Sequence, residues 1–271
     1  MNSRKIAFLG VGNMASAVIL ANAGSNVNFN DIILYDRFPE KLERFTKQGA
    51  YAAGSLCEAV SMCDCVFLAV KPQDYFGLMD EIKTCDGYSD KLYISIGAGI
   101  ESSTVEGYLG CTRVIRALPN TPMLIGKGVS AICRSGKVSS EDFAFARSLF
   151  ESAGSVIEID ESEMNRIIGV TSSSPAYVFK FIDAMLEGAR AQGFDQDDLI
   201  SVICDVVIGS AMLLKEYGKT PDEMISMVAS KGGTTERALK RLDEESFSEC
   251  IINAMLDCTA RADELGKMKK N

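Results

Sequence analysis

The sequence predicts an α/β protein: an amino-terminal, doubly wound parallel sheet followed by an all-α carboxy-terminal domain. Three observations predict it. Short β-rich runs alternate with helical stretches through the first half of the chain. Those runs are apolar at nearly every position, as strands covered on both faces must be. After Asp160 the strand signals stop, and helical segments follow one another to the end. The division therefore falls between a sheet domain, residues 1–160, and a helical domain, residues 161–271.

Taken in order, residues 5–9 (KIAFL), 32–35 (IILY), 65–70 (CVFLAV), 92–96 (LYISI) and 114–117 (VIRA) read as buried strands. Helical spacing occupies 13–23, 39–48 and 76–83 between the first four. Two further strands, 129–133 and 156–159, flank a helix over 141–152. The second half reads as helices over 164–170, 175–192, 196–217, 221–229, 234–243 and 247–265. Residues 199–214 are apolar almost all round, which predicts a helix buried on every side. A small helical domain rarely covers such a helix alone, so a homodimer with interleaved helices is expected. The stretch contains Asp205 and is shorter than the roughly 18 residues of a membrane span, so no membrane partner is expected.

Composition narrows the chemistry. A formal charge of −9 speaks against a broad basic surface for nucleic acid. The basic tail Lys267-Met268-Lys269-Lys270 reads as a solvated helix end, with a local basic patch as the alternative. The chain has 9 cysteines but no CxxC, and its closest pair is Cys63-x-Cys65. Free buried thiols in a reducing compartment are expected rather than bridges or a metal site. Met1-Asn2-Ser3-Arg4-Lys5 runs straight into a strand-like segment without a signal sequence, which points to the cytoplasm. There is no histidine, which removes Ser-His-Asp and Cys-His nucleophile systems and His-ligated metals. The difficult chemistry is thus expected of a cofactor.

The first strand names that cofactor. It runs into Gly10-Val11-Gly12-Asn13-Met14-Ala15 and then a helix. Gly10 permits the tight turn, Gly12 lets the backbone approach a pyrophosphate, and Ala15 lets helix and strand lie close. The phosphates would meet free N–H groups at a helix start, here Asn13 and Met14. The first domain is therefore read as a Rossmann-like dinucleotide-binding domain. Its second strand ends in Asp36-Arg37. An acid there bonds the ribose 2′-OH of NADH, whereas an arginine nearby can hold the 2′-phosphate of NADPH, and the sequence offers both.

Six segments, in order and at the right distances, resemble the pyrroline-5-carboxylate reductase family over almost the whole chain. They are FLGVGNMASA (8–17), FLAVKPQ (67–73), SIGAGI (95–100), RALPNTP (116–122), SSSPAYVF (172–179) and SKGGTTERAL (230–239). The resemblance implies NAD(P)H-dependent reduction of the cyclic imine 1-pyrroline-5-carboxylate to L-proline, and a homodimer built on the carboxy-terminal helices, with larger assemblies of dimers beyond it. It places Val70, Lys71, Pro72, Ala98 and Asn120 in the cofactor cleft, although Lys71 alone would equally read as a surface lysine. Ser173, Ser230, Gly232, Gly233 and Thr234 become substrate-binding residues, and Thr235 the catalytic hydroxyl that bonds the ring nitrogen. Read without the resemblance, 230–235 is either an anion-binding bend or an ordinary helix–helix turn with a threonine cap.

The match falters at Ser172 and Ser174, where the family carries glycines, at Lys231, where it carries proline, and at Leu56, where it carries asparagine. A lysine beside a carboxylate pocket would favour a more anionic substrate. Two other readings share the Rossmann start. One is a β-hydroxyacid dehydrogenase with Lys180 as its catalytic lysine. The other is a non-catalytic NAD(P)-binding relative.

Overall fold

The computed structural model describes residues 4–23 and 26–267; the basic tail beyond Lys267 lies outside them. Among the described residues eight strands form one sheet: β1 Ile6–Leu9, β2 Ile32–Tyr35, β3 Tyr51–Ala52, β4 Cys65–Leu68, β5 Leu92–Ser95, β6 Val114–Leu118, β7 Gly128–Arg134 and β8 Gly154–Glu158. Their spatial order is β3-β2-β1-β4-β5-β6-β7-β8. The chain winds outward from β1 in both directions, so the switch in strand order falls between β1 and β4, where such sheets bind ligands. Alternation within each strand splits the core. Ile6 and Phe8 join a cluster on one face, Phe8 lying 4.8 Å from the ring of Phe67, while Ala7 and Leu9 join a second cluster on the other.

One departure from the expected parallel sheet is β7, which runs antiparallel to β6. Only residues 119–127 separate the two strands, too few for the helix of a parallel crossover. The short edge strand β3 was not expected either. Its two residues are exposed and carry no periodicity to read.

Among the described residues the first half carries six α-helices: α1 Asn13–Asn22, α2 Glu43–Thr46, α3 Leu56–Met62, α4 Tyr75–Ile82, α5 Ser102–Leu109 and α6 Ser140–Glu151. Sequence reading overlooked α3 and α5, which are each about two turns long. A pair of cysteines also corrects it: Cys57 in α3 and Cys85 just beyond α4 form a disulfide, their Cα atoms 4.8 Å apart. Tertiary packing creates that proximity across 28 residues, so no local spacing motif announces it. Cys63, Cys65, Cys111 and Cys133 are buried free thiols, as expected.

The second half carries α7 Ser174–Ala191, α8 Leu199–Tyr217, α9 Pro221–Val228, α10 Thr234–Glu244 and α11 Phe247–Gly266. Residues 161–169 form short 3-10 turns rather than the expected helix. By packing, the chain divides into two compact units. One runs up to Pro175 and includes the chain from Asp257 onward; the other is Ala176–Leu256. Met164, Ile168 and Ala262 share a core cluster with Leu118, Ala131 and Cys133, which is why the packing boundary lies later than 160.

In the second unit the expected all-round burial of α8 is not met by one chain. Only Leu199 and Ile203 are buried, whereas Val206, Ile208 and Met212 are more than half exposed.

Candidate active site

The carboxyl rim of the sheet gathers most of the expected cofactor residues. Gly10 follows β1, Asp36 follows β2, Val70 to Pro72 follow β4, Ala98 follows β5 and Asn120 follows β6. Gly10 holds φ +90°, and a Cβ there would stand 2.9 Å from the carbonyl oxygen of Ala69. Only glycine lets β1 end against β4 in this way. A Cβ at Gly12 would instead meet nothing within 4 Å, so the backbone there faces open space. Gly12 is the N-cap of α1 and provides no side-chain cap, which leaves first-turn N–H groups without an intrahelical partner. Ala15 is buried against the sheet, as its small size requires. Asn13 is exposed and Met14 half-buried at the helix start.

A cavity of about 630 Å³ opens beside this turn, lined by Val11, Gly12, Asn13 and Ser16 and by Glu40, Lys41, Glu43, Arg44 and Lys47. An open approach to uncapped N–H groups, with three cations across the cavity, suits the diphosphate and ribose of a nicotinamide dinucleotide. Sequence reading missed the Lys41, Arg44 and Lys47 wall because its members belong to a weakly periodic turn and the short α2. The hydroxyl of Ser16 is buried without a hydrogen-bond partner among the described residues.

Asp36, expected at the ribose, is held by three donors of the protein. One carboxylate oxygen accepts the Val11 N–H at 2.7 Å, and the other accepts the Phe38 N–H at 3.0 Å and Lys41 Nζ at 3.1 Å. Burial pushes its pKa up, but these donors outweigh burial and hold the carboxyl below its usual range. Asp36 thus ties the glycine-rich turn to β2. Arg37 beside it is exposed.

Across the switch point, Tyr75 donates from its buried hydroxyl to the Leu68 carbonyl at 2.9 Å and lies 3.1 Å from Ser95 Oγ, joining the ends of β4 and β5. Burial pushes its pKa up to about 12, so it stays a neutral phenol. Lys71 is exposed, and Val70 and Ala98 are half-buried. The Asn120 side chain is buried, donating to the Thr171 carbonyl at 3.0 Å and accepting the Val129 N–H at 2.8 Å. It acts as a clamp on the chain entering α7. Arg116, 1% exposed, donates to Glu161 at 2.7 Å and to Asn165 at 2.6 Å, while Asn165 donates to Asp263 in α11 at 2.7 Å. This network joins β6 to α11.

The remaining expected residues lie in the second unit, on the bend between α9 and α10, except Ser173. Gly232 holds φ +73°, and its N–H donates to Glu236 Oε2 at 2.7 Å. The Gly233 N–H donates to the Ser230 carbonyl at 2.9 Å. Gly233 is the N-cap of α10 and provides no side-chain cap, so the N–H groups of Thr234 and Thr235 begin the helix free of intrahelical partners. The bend is therefore a helix start without a side-chain cap, the kind of backbone that can accept an anion. Thr235 is half-buried, and Thr234, Gly232 and Lys231 are exposed.

Ser173 lies beside Cys258, Oγ to Sγ 3.1 Å, before α7. The two serines that replace glycines need no left-handed backbone, since Ser246 is the one non-glycine with positive φ among the described residues. Lys180, the lysine that a β-hydroxyacid dehydrogenase would use, is exposed and lies 3.3 Å from Asp183. Among the described residues no group of three or more His, Cys, Asp or Glu side chains could hold a metal ion.

Comparison with known proteins follows the same division. The model for pyrroline-5-carboxylate reductase dimerisation matches residues 161–265. A model described as NADP oxidoreductase coenzyme F420-dependent matches residues 5–99. The pyrroline-5-carboxylate reductase of Escherichia coli is 35% identical, covering 97% of this chain and 99% of that one. The enzyme of that name from Methanosarcina acetivorans is 32% identical, covering 98% and 100%. The crystal structure of Plasmodium falciparum pyrroline carboxylate reductase with NADP bound superposes with a TM-score of 0.90 at 26% identity, covering 98% of this chain and 100% of that one.

Proposed function

Since the chain belongs to the pyrroline-5-carboxylate reductase family, we infer that it reduces 1-pyrroline-5-carboxylate to L-proline with NADH or NADPH. The observation that carries this reading is similarity over the full length to relatives of that name, joined to an open, uncapped helix start after β1. A β-hydroxyacid dehydrogenase lacks that full-length similarity, and a non-catalytic NAD(P)-binding relative is separated by the assay below.

In the reading we adopt, Gly12, Asn13 and Met14 present backbone N–H groups to the cofactor diphosphate, Lys41 and Arg44 face its adenosine end, and Val70 to Pro72 with Ala98 line the nicotinamide end. The bound cofactor supplies a hydride to the C=N carbon, which is electrophilic once the ring nitrogen is protonated. The bend 230–235 does the rest. The N–H groups of Thr234 and Thr235, with that of Gly232, take the substrate carboxylate and so fix the ring. Ser230 and Gly233 hold the shape of the bend, and Thr235 Oγ1 bonds the ring nitrogen. A threonine hydroxyl is a poor acid, so it relays a proton that originates in solvent. Most of the rate comes from holding donor and acceptor in register.

The functional domains are 1–160 for cofactor and 161–271 for substrate and dimerisation, the latter supported by the extent of the dimerisation match. The exposed apolar residues of α8 support a homodimer through the carboxy-terminal helices, able to assemble further into larger rings of dimers. No described helix is long and apolar enough to cross a membrane. We place the enzyme in the cytoplasm, the compartment that its amino-terminal sequence suggests.

The test is a spectrophotometric assay with pyrroline-5-carboxylate against NADH and NADPH in parallel. Imine-dependent oxidation of either cofactor is expected, and cofactor binding without turnover would reject the reading. Thr235→Val is expected to lower kcat by about 10- to 100-fold, the loss of one or two hydrogen bonds in the transition state, with cofactor affinity retained.

A further inference from the structure

We propose that Glu236 is an internal competitor for the substrate's carboxylate, and that it sets the affinity of the enzyme for its imino acid. The inference rests on the assignment of the 230–235 bend as the carboxylate-binding site. It starts from one contact: the Gly232 N–H, a donor on the inside of that bend, is already held by a carboxylate oxygen of Glu236 at 2.7 Å.

The geometry makes the contact local. Gly232 takes a left-handed conformation, φ +73°, which turns the chain back toward the first turn of α10. Glu236 is the third residue of that helix, the position from which a glutamate reaches back to the turn before a helix. The neighbouring Gly233 N–H is engaged with the Ser230 carbonyl. The first helical bond of α10 runs from the Arg237 N–H to the Gly233 carbonyl at 3.2 Å. A substrate carboxylate arriving here meets the free N–H groups of Thr234 and Thr235, and finds the Gly232 donor occupied by a group of its own chemistry and charge.

Two properties make Glu236 displaceable. It is exposed, so water solvates it once released, and among the described residues no ion pair anchors it. Lys231, exposed next to the bend, supplies a nearby positive charge for a freed carboxylate or for the incoming one. Substrate binding is then an exchange of one carboxylate for another on the Gly232 N–H, and the resident one raises KM. The plain alternative is that Glu236 only caps α10. That role predicts lower stability on its removal and no change in substrate affinity.

Glu236→Ala and Glu236→Gln separate the two. KM would be measured for pyrroline-5-carboxylate, for 1-pyrroline, which is the same ring without the carboxylate, and for the cofactor, alongside the unfolding midpoint. Freeing one donor and removing one like charge should lower KM for the imino acid by about three- to tenfold in Glu236→Ala. The effect should be smaller in Glu236→Gln, which keeps an acceptor. Values for 1-pyrroline and for the cofactor should stay as in the unsubstituted enzyme. An unchanged or raised KM for the imino acid overturns the proposal, whatever happens to the midpoint. An equal fall for both rings overturns it too, because the effect would not involve the carboxylate. Should Glu236→Ala fail to fold, the isosteric Gln variant decides. Thr235→Val keeps the two levels apart: if it leaves turnover intact, the assignment of the bend fails, whereas loss of turnover with no KM effect at Glu236 defeats this inference alone.

Discussion

The turn after β1 and the bend before α10 make the same contact in opposite settings. In each, a side-chain carboxylate accepts a backbone N–H from a glycine-containing turn at 2.7 Å: Asp36 from Val11, and Glu236 from Gly232. Asp36 has a side chain only 8% exposed, is bonded also by Phe38 and Lys41, and stands just beyond β2, next to the edge strand. Glu236 is exposed and holds its donor across a single helical turn. Burial decides what the contact does. The first is part of the scaffold that shapes a cofactor turn, and the second can be displaced by a ligand.

The largest test of that difference is Gly10→Ala. With φ +90° and the Ala69 oxygen 2.9 Å from the new Cβ, it should cost about 2–4 kcal/mol of stability in denaturant unfolding. A loss below 1 kcal/mol would show that the first turn is as yielding as the bend.

Gly12→Asp comes next, and it separates binding from folding. Space at the Cβ is open, and aspartate is a good N-cap, so the unfolding midpoint should hold. A carboxylate set against the phosphates should weaken the cofactor by about 100-fold, read as a dissociation constant from nicotinamide fluorescence. Equal affinity would move the diphosphate away from this turn.

Asp36→Asn probes the buried contact itself and should cost about 1–2 kcal/mol at neutral pH. The folded pKa of Asp36 lies below its unfolded value, so its contribution is complete above the unfolded pKa. It is lost as pH falls through the lower, folded one. The gap between the unsubstituted chain and the variant should therefore close only in strong acid, and a gap that persists there would assign the loss to packing.

The smallest effect is expected of Lys231→Pro. Removing one exposed charge should raise KM for the imino acid about two- to threefold and shift preference away from more anionic imino acids. An unchanged preference order would discard a role for Lys231 in substrate choice.

What could be read beforehand followed from how strongly each feature is written in local pattern. The central strands were legible because burial on both faces demands continuous apolar runs, and Gly10 and Gly12 because a strand precedes them and a helix follows. The antiparallel β7 was not, since strand direction depends on the length of a connection whose 3-10 turn over Thr121–Ile125 has no period. The Cys57–Cys85 bridge and the Arg116–Glu161–Asn165 network depend on tertiary proximity and leave no spacing signal. Asn120 stands on the rim after β6, and the contacts of its amide to Thr171 and Val129 leave no local signal either. Glu236 was visible in principle, since a glutamate three residues after a helix N-cap is half of a capping box. A glycine at that N-cap removes the serine or threonine that would have drawn attention to it.

The uncovered apolar side of α8 carries a thermodynamic consequence. If a second copy supplies the missing cover, folding and association become one equilibrium governed by mass action. Heat resistance would then rise with protein concentration, and dilution alone would inactivate the enzyme.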